Sequence, residues 1–133
     1  CGYGLLALAL VQAGCGEVVA TDNNAAALRA CEGNMQQALP SQNISVVADD
    51  CGGNLRGSFD LILCNPPFHQ GFDVEQDLTD RFLGAAFRLL KPGGQALFVV
   101  NAFIPLERKA TVWFSQVEKV ADNGRYKLVV ITQ

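Results

Sequence analysis

Short apolar or β-branched runs alternate with helix-forming stretches along the chain, and each of the first three runs stops at an acid or an amide. EVVAT, residues 17–21, stops at Asp22; residues 44–48 stop at Asp49-Asp50; FDLILC, residues 59–64, stops at Asn65. Residues 5–13, LLALALVQA, are helix-compatible and almost uniformly apolar, which suggests a helix packed against a sheet. Residues 23–37 read as a second helix, capped by Asn23 and closed by Pro40. In a third, Leu78, Phe82, Ala85, Ala86, Leu89 and Leu90 share one face, with Arg81 and Arg88 pointing elsewhere. KPGG at 91–94 reads as the turn that ends it, and a buried strand follows over 95–101. A short helix is expected over 107–115. Strands over 117–121 and 126–132, joined by Asp122-Asn123-Gly124, form a closing hairpin. Alternating strands and helices specify an α/β chain with a doubly wound, mostly parallel sheet, and the hairpin adds one antiparallel strand at an edge.

With 133 residues, half of them hydrophobic, the chain has the size of one domain, 1–133, and can bury a core. Its apolar runs are too short to cross a bilayer, and no basic segment followed by a long apolar one opens the chain, so no membrane role is expected. Five cysteines without a CxxC pair, beside a single histidine, offer no zinc-ligand spacing, and no metal is expected. Their odd number fits a reducing compartment and a cytoplasmic protein. Cys31 and Cys64 sit in apolar surroundings and read as core. Net charge is −3, a poor balance for holding a nucleic-acid backbone unaided. Residues 1–55 carry Arg29 against five acids, whereas 56–133 carry nine basic side chains against eight acids.

In an open α/β sheet, ligands bind beyond the carboxyl ends of the strands. Gly2 and Gly4, in CGYG, let the backbone approach a ligand at a helix start, and Asp22 follows about 20 residues on, where an acid can accept from both hydroxyls of a ribose. Asp49 or Asp50 ends the next strand. Taken singly, each glycine reads as a turn and each aspartate as a cap or a solvated loop residue; their order and spacing together suggest a Rossmann-like nucleotide site. A nicotinamide-binding domain would show the same glycines and acid, so this half leaves the cofactor open. If CGYG follows the first strand of such a sheet, that strand precedes residue 1, and the chain is expected to be a fragment lacking it.

LCNPPFHQG, residues 63–71, narrows the choice. Pro66 and Pro67 lack amide hydrogens and hold the residue before each extended, so neither a helix nor a central strand continues through them. Here the chain resembles the S-adenosylmethionine-dependent methyltransferases whose fourth strand ends in Asn/Asp-Pro-Pro-Tyr/Phe. The likeness runs through Cys1 to Gly4, Asp22, Asp50, FDLILCNPPFHQG, LKPGG and the final hairpin VADNGRYKLVV. With NPPFH and a VNAFIP strand end, the chain is most similar to the ribosomal RNA guanine-N2 methyltransferases.

That resemblance implies transfer of a methyl group from S-adenosylmethionine to an exocyclic amine, with ribosomal RNA or a ribosomal subunit as partner. It also implies a preceding domain that supports binding, because the chain itself has no basic surplus. Gly2, Gly4, Asp22, Asp50 and Asn65 would form the cofactor shell. An exocyclic amine is a poor nucleophile because its lone pair is delocalised into the ring. Asn65 and a carbonyl of the Pro66-Pro67 segment would each accept one N–H and turn the lone pair towards the methyl, while Phe68 would stack on the base. His69 either contacts the base or holds the loop by a hydrogen bond. Asn101 and Phe103 would shape the pocket wall, and Arg125 and Lys127 read as solvated strand residues. Methylation of a protein glutamine amide or an adenine amino group, and a non-catalytic cofactor-binding module, are the alternatives.

Overall fold

The computed structural model describes residues 1–67 and 72–133, the side chains of 72–75 excepted. Two compact units divide it, Cys1–Asn54 and Leu55–Gln133, and each is described by itself. Among the described residues the strands form two sheets, one parallel pair and one four-stranded sheet.

The first unit contains α1 (Leu5–Gln12), β1 (Glu17–Asp22), α2 (Ala25–Ala38) and β2 (Asn43–Ala48). β1 and β2 run parallel in unbroken register from Glu17 opposite Asn43 to Asp22 opposite Ala48. Val18 and Ala20, alternate residues of β1, meet Ala7 of α1 and Cys31 and Met35 of α2 in the core of this unit. α1 packs less completely than its apolar sequence suggests: Ala7 is buried, whereas Leu5 and Leu6 are exposed. The cap of α2 is Asn24, not Asn23. The Asn24 side chain accepts from the amides of Ala26 at 2.8 Å and Ala27 at 3.2 Å. Of two successive asparagines only one can occupy the single extended position before the helix, and the Asp22 carboxylate selects the second by accepting the Asn24 N–H at 2.9 Å.

The second unit runs β3 (Phe59–Cys64), α3 (Phe72–Leu89), β4 (Leu90–Asn101), α4 (Leu106–Ala110), β5 (Gln116–Asp122) and β6 (Tyr126–Thr132). Strand order is β3-β4-β6-β5, with β3 and β4 parallel and β6 antiparallel to both its neighbours. The antiparallel strand therefore lies inside the sheet, with β5 at the edge. Composition explains the order: β6 buries Lys127, Val129 and Ile131, whereas β5 carries Glu118 and Lys119 to solvent. KPGG does not end the helix as a separate turn; it forms an irregular start to β4, with the register against β3 shifting between Phe59 and Leu61. A Cβ on Gly94 would stand 2.9–3.2 Å from the carbonyl oxygens of Lys91, Phe59 and Asp60, so only glycine lets the chain lie this close to β3.

Ala96, Phe98 and Val100 of β4, with Val129 and Ile131 of β6, form one sheet face. Leu83 and Ala86 of α3, Leu106 and Ala110 of α4, and Phe114 cover it. Leu83 was not part of the apolar face expected for α3, yet it is fully buried, while Leu78 and Phe82 pack at the margin. α4 stops at Ala110, earlier than residue 115. Thr111, Val112 and Trp113 are poor helix formers, and a tight turn after Ala110 sends Phe114 into the core while leaving Val112 exposed. No helix among the described residues is long and apolar enough to cross a membrane.

Candidate functional site

In the first unit, the expected cofactor residues gather at the carboxyl ends of β1 and β2. The Asp49 N–H donates to the Asp22 carbonyl at 3.0 Å, extending the parallel ladder by one residue and bringing the two strand ends side by side. Beyond that bond the two consecutive acids part. Asp49 is buried, and its carboxylate accepts the Asn54 N–H at 3.1 Å, so it serves the turn. Asp50 is exposed; the Asn23 side-chain amide lies 3.5 Å from its Oδ1, and the Cys51 thiol lies 3.4 Å from the same oxygen.

Asp22 organises the glycine turn. Its Oδ2 accepts the Gly2 N–H at 3.0 Å and lies 2.8 Å from the Cys1 nitrogen, while Oδ1 accepts the Asn24 N–H. Burial by itself would raise its pKa, but the amides of Gly2 and Asn24 act against that and hold the carboxyl below its ordinary value. Asp22 is therefore a carboxylate at neutral pH.

The two glycines do different work. Gly2 is exposed, with nothing within 4 Å of where a Cβ would stand. Gly4 is buried at φ 101°, and a Cβ there would meet Met35 Cε at 2.9 Å and Cys31 Sγ at 3.1 Å. Close packing of the turn onto α2 thus accounts for Gly4, and of the pair Gly2 is the one open to a ligand.

In the second unit, β3 delivers Asn65, Pro66 and Pro67 at its carboxyl end, directly after Cys64, which pairs with Phe98 of β4. Asn65 and Pro67 are exposed and Pro66 is buried, so the middle of the corner is anchored and its ends face solvent. Phe68 and His69 lie outside the described residues. Beyond the carboxyl end of the neighbouring β4, the Asn101 carbonyl accepts the Ile104 N–H at 3.0 Å, and the side chain of Phe103, 71% exposed, projects from this turn.

Lys127 departs from its reading as a solvated residue. It stands opposite Val100 on the covered face of the sheet, is buried, and its Nζ contacts Glu107 Oε2 of α4 at 2.5 Å. Alternation along YKLVVIT could have revealed this, because Lys127 shares a face with Val129 and Ile131. Asn23 was likewise missed as a neighbour of Asp50; the doubled asparagine, of which one is surplus to capping, was the available signal. Among the described residues no group of three or more His, Cys, Asp or Glu side chains is placed to hold a metal ion.

The family model described as "Methyltransferase small domain" matches residues 1–130. The "Ribosomal RNA small subunit methyltransferase C" proteins of Shewanella amazonensis and Shewanella loihica are 33% and 34% identical to the chain over 129 residues, 96% of the chain and 37% of each relative. The chain thus spans little more than a third of the curated relatives it matches. A T. thermophilus 16S rRNA N2 guanine methyltransferase, solved in complex with AdoMet and guanosine, superposes with a TM-score of 0.86 at 26% identity, over 99% of this chain and 35% of that one. Matched by the family model over residues 1–130 and sharing a Rossmann-like α/β fold with the solved structure, the chain belongs to the methyltransferase small domain family.

Proposed function

We propose that the protein transfers a methyl group from S-adenosylmethionine to an exocyclic amine, namely guanine N2 of small-subunit ribosomal RNA. One observation carries this reading: an Asn-Pro-Pro corner ends β3 in a chain whose fold matches, along nearly its whole length, a guanine methyltransferase solved with AdoMet and guanosine.

The residues present fit the cofactor. An ionised Asp22 beside the open Gly2 is suited to ribose hydroxyls, and the exposed Asp50 at the next strand end is suited to the adenine amino group. An excess of acids over Arg29 in this unit favours a cationic ligand. When bound, the cofactor supplies a methyl already activated on positive sulfur.

The work left to the protein is to prepare the amine. The Asn65 side-chain oxygen accepts one N–H and a carbonyl of the Pro66-Pro67 segment accepts the other, so the nitrogen lone pair turns out of conjugation. Burial of Pro66 and the fixed φ of both prolines hold those acceptors in place. Phe68 supplies the stacking face, and His69 contacts the base or secures the loop. After transfer the nitrogen releases its extra proton to water. Guanine must be looped or flipped out of any helix to reach this corner. A net charge of −3 supports a further RNA-holding domain outside these residues, and cytoplasmic ribosomes supply the substrate.

The test is transfer of labelled methyl from S-adenosylmethionine to ribosomal RNA, intact subunits and a release factor, using the protein as encoded in full by its source. N2-methylguanine in small-subunit RNA is expected, reduced roughly 100-fold in Asn65→Ala, the order seen when one acceptor or donor at a reacting centre is removed. Label in the release factor would move the reading to glutamine amides. Cofactor binding without transfer to any substrate would leave a non-catalytic module.

A further inference from the structure

We infer that Asn23 is a positioning residue that orients the Asp50 carboxylate and thereby sets the preference of the cofactor site for a base bearing an amino group. This rests on the reading of Asp50 as the acceptor for that group. Asn23 lies between the two acids of the site, directly after Asp22, and its side-chain amide points to Asp50 Oδ1 at 3.5 Å. Capping does not explain it, because Asn24 holds the first amides of α2. Nor does packing, because Asn23 is exposed. The backbone beneath it is fixed on both sides: Asp22 accepts the Asn24 N–H, and the Asp22 carbonyl accepts the Asp49 N–H. Asn23 is thus a short donor on a rigid platform, aimed across from one strand end to the next.

Asp50 lies just past the end of β2. The residue after it, Cys51, has a φ of 55°, so the chain turns sharply away just after Asp50. The thiol of Cys51 and the amide of Asn23 both approach Oδ1. Two donors on one oxygen select the carboxylate rotamer that turns Oδ2 in a single direction. A carboxylate fixed in this way accepts an N–H from a ligand without a further loss of rotamer freedom, whereas an inosine-type base, with a carbonyl in place of the amino group, meets a like negative dipole.

The readout is the ratio of dissociation constants for S-adenosylmethionine and its inosyl analogue, measured by calorimetry on the full protein for the wild type, Asn23→Ala, Asn23→Ser and Asp50→Asn. Both ligands are measured on the same sample, so any loss of folded material cancels in the ratio. Asn23→Ala is expected to lower the preference for the adenosyl ligand about fivefold, as for loss of one orienting hydrogen bond, with Asn23→Ser, which retains a donor, recovering part of it. A preference unchanged in Asn23→Ala but lost in Asp50→Asn would overturn the role of Asn23 and leave the reading of Asp50 standing. A preference unchanged in Asp50→Asn would overturn both, as would a wild-type protein that binds neither ligand.

Discussion

Glu107 and Lys127 touch at 2.5 Å, but their surroundings are unequal: the Lys127 side chain is 7% exposed and that of Glu107 is 32% exposed. Removing either partner breaks the same contact, yet what remains differs. In Glu107→Ala an ammonium stays on the covered face of β6, under α4, without its counter-ion. Loss of one partner of a buried pair costs about 3–5 kcal/mol, and the partial access of water to this pair brings the expectation down to about 2–4 kcal/mol. In Lys127→Met the aliphatic stem is kept, and the carboxylate left behind can hydrate, so a change within about 1 kcal/mol is expected. In the double variant nothing charged is stranded, and it should lie close to Lys127→Met alone. Urea unfolding followed by Trp113 fluorescence suits the measurement, because the sole tryptophan belongs to this unit and its ring lies 5.6 Å from that of Phe87. A Lys127→Met variant as unstable as Glu107→Ala, or more so, would refute the argument that desolvation of the lysine governs the pair.

Asn24→Ala should destabilise the first unit by about 1 kcal/mol, the usual effect of losing a side-chain cap, and Asn23→Ala by less than about 0.5 kcal/mol; thermal melts of the two variants check this. Gly4→Ala combines a left-handed backbone with a Cβ 2.9 Å from Met35 Cε, and about 2–4 kcal/mol of destabilisation is expected in urea titrations. Because the methionine tip can yield, Met35→Ala should reduce the penalty of Gly4→Ala without abolishing it. The amides of Gly2 and Asn24 hold the Asp22 carboxyl below its ordinary value of 3.8, so its contribution is present above about pH 4 and is lost as pH falls below that. Stability profiles across that window should be flatter for Asp22→Asn.

Periodicity revealed those parts of the molecule where a single local pattern decides the outcome. β3 runs from Phe59 to Cys64 as its apolar run required, because Pro66 and Pro67 leave no other place to stop. The features that were not legible depend on competition between residues or on the approach of distant chain. Either Asn23 or Asn24 suits a cap by residue type, and the choice falls to a hydrogen bond from Asn24 to Asp22. KPGG reads as a turn from four residues, but two of the three oxygens that crowd Gly94 belong to β3, more than 30 positions earlier. Likewise the place of β6 inside the sheet follows from comparing its burial with that of β5, not from either strand alone. Asp22 and Asn65 were legible because each ends or directly follows a strand, whereas the separation of Asp49 from Asp50 required the turn that Asn54 closes.

Asp22 poses a harder problem, because its carboxylate builds the turn that it is proposed to serve. Substituting it releases the Gly2 and Asn24 amides together, so lost cofactor binding in Asp22→Ala would follow equally from a collapsed turn and from a missing ribose acceptor. Changing the ligand separates the two causes. A cofactor analogue lacking the ribose 2′-hydroxyl leaves every protein bond intact and removes only the donor that an ionised Asp22 would accept. A hydrogen bond to a charged group contributes about 1.5–3 kcal/mol, so the analogue should bind the wild-type protein at least about tenfold more weakly than S-adenosylmethionine. In Asp22→Asn, which keeps an oxygen for only one of the two amides and carries no charge, the difference between the two ligands should shrink. An analogue that binds the wild type as tightly as the parent cofactor would confine Asp22 to holding the turn.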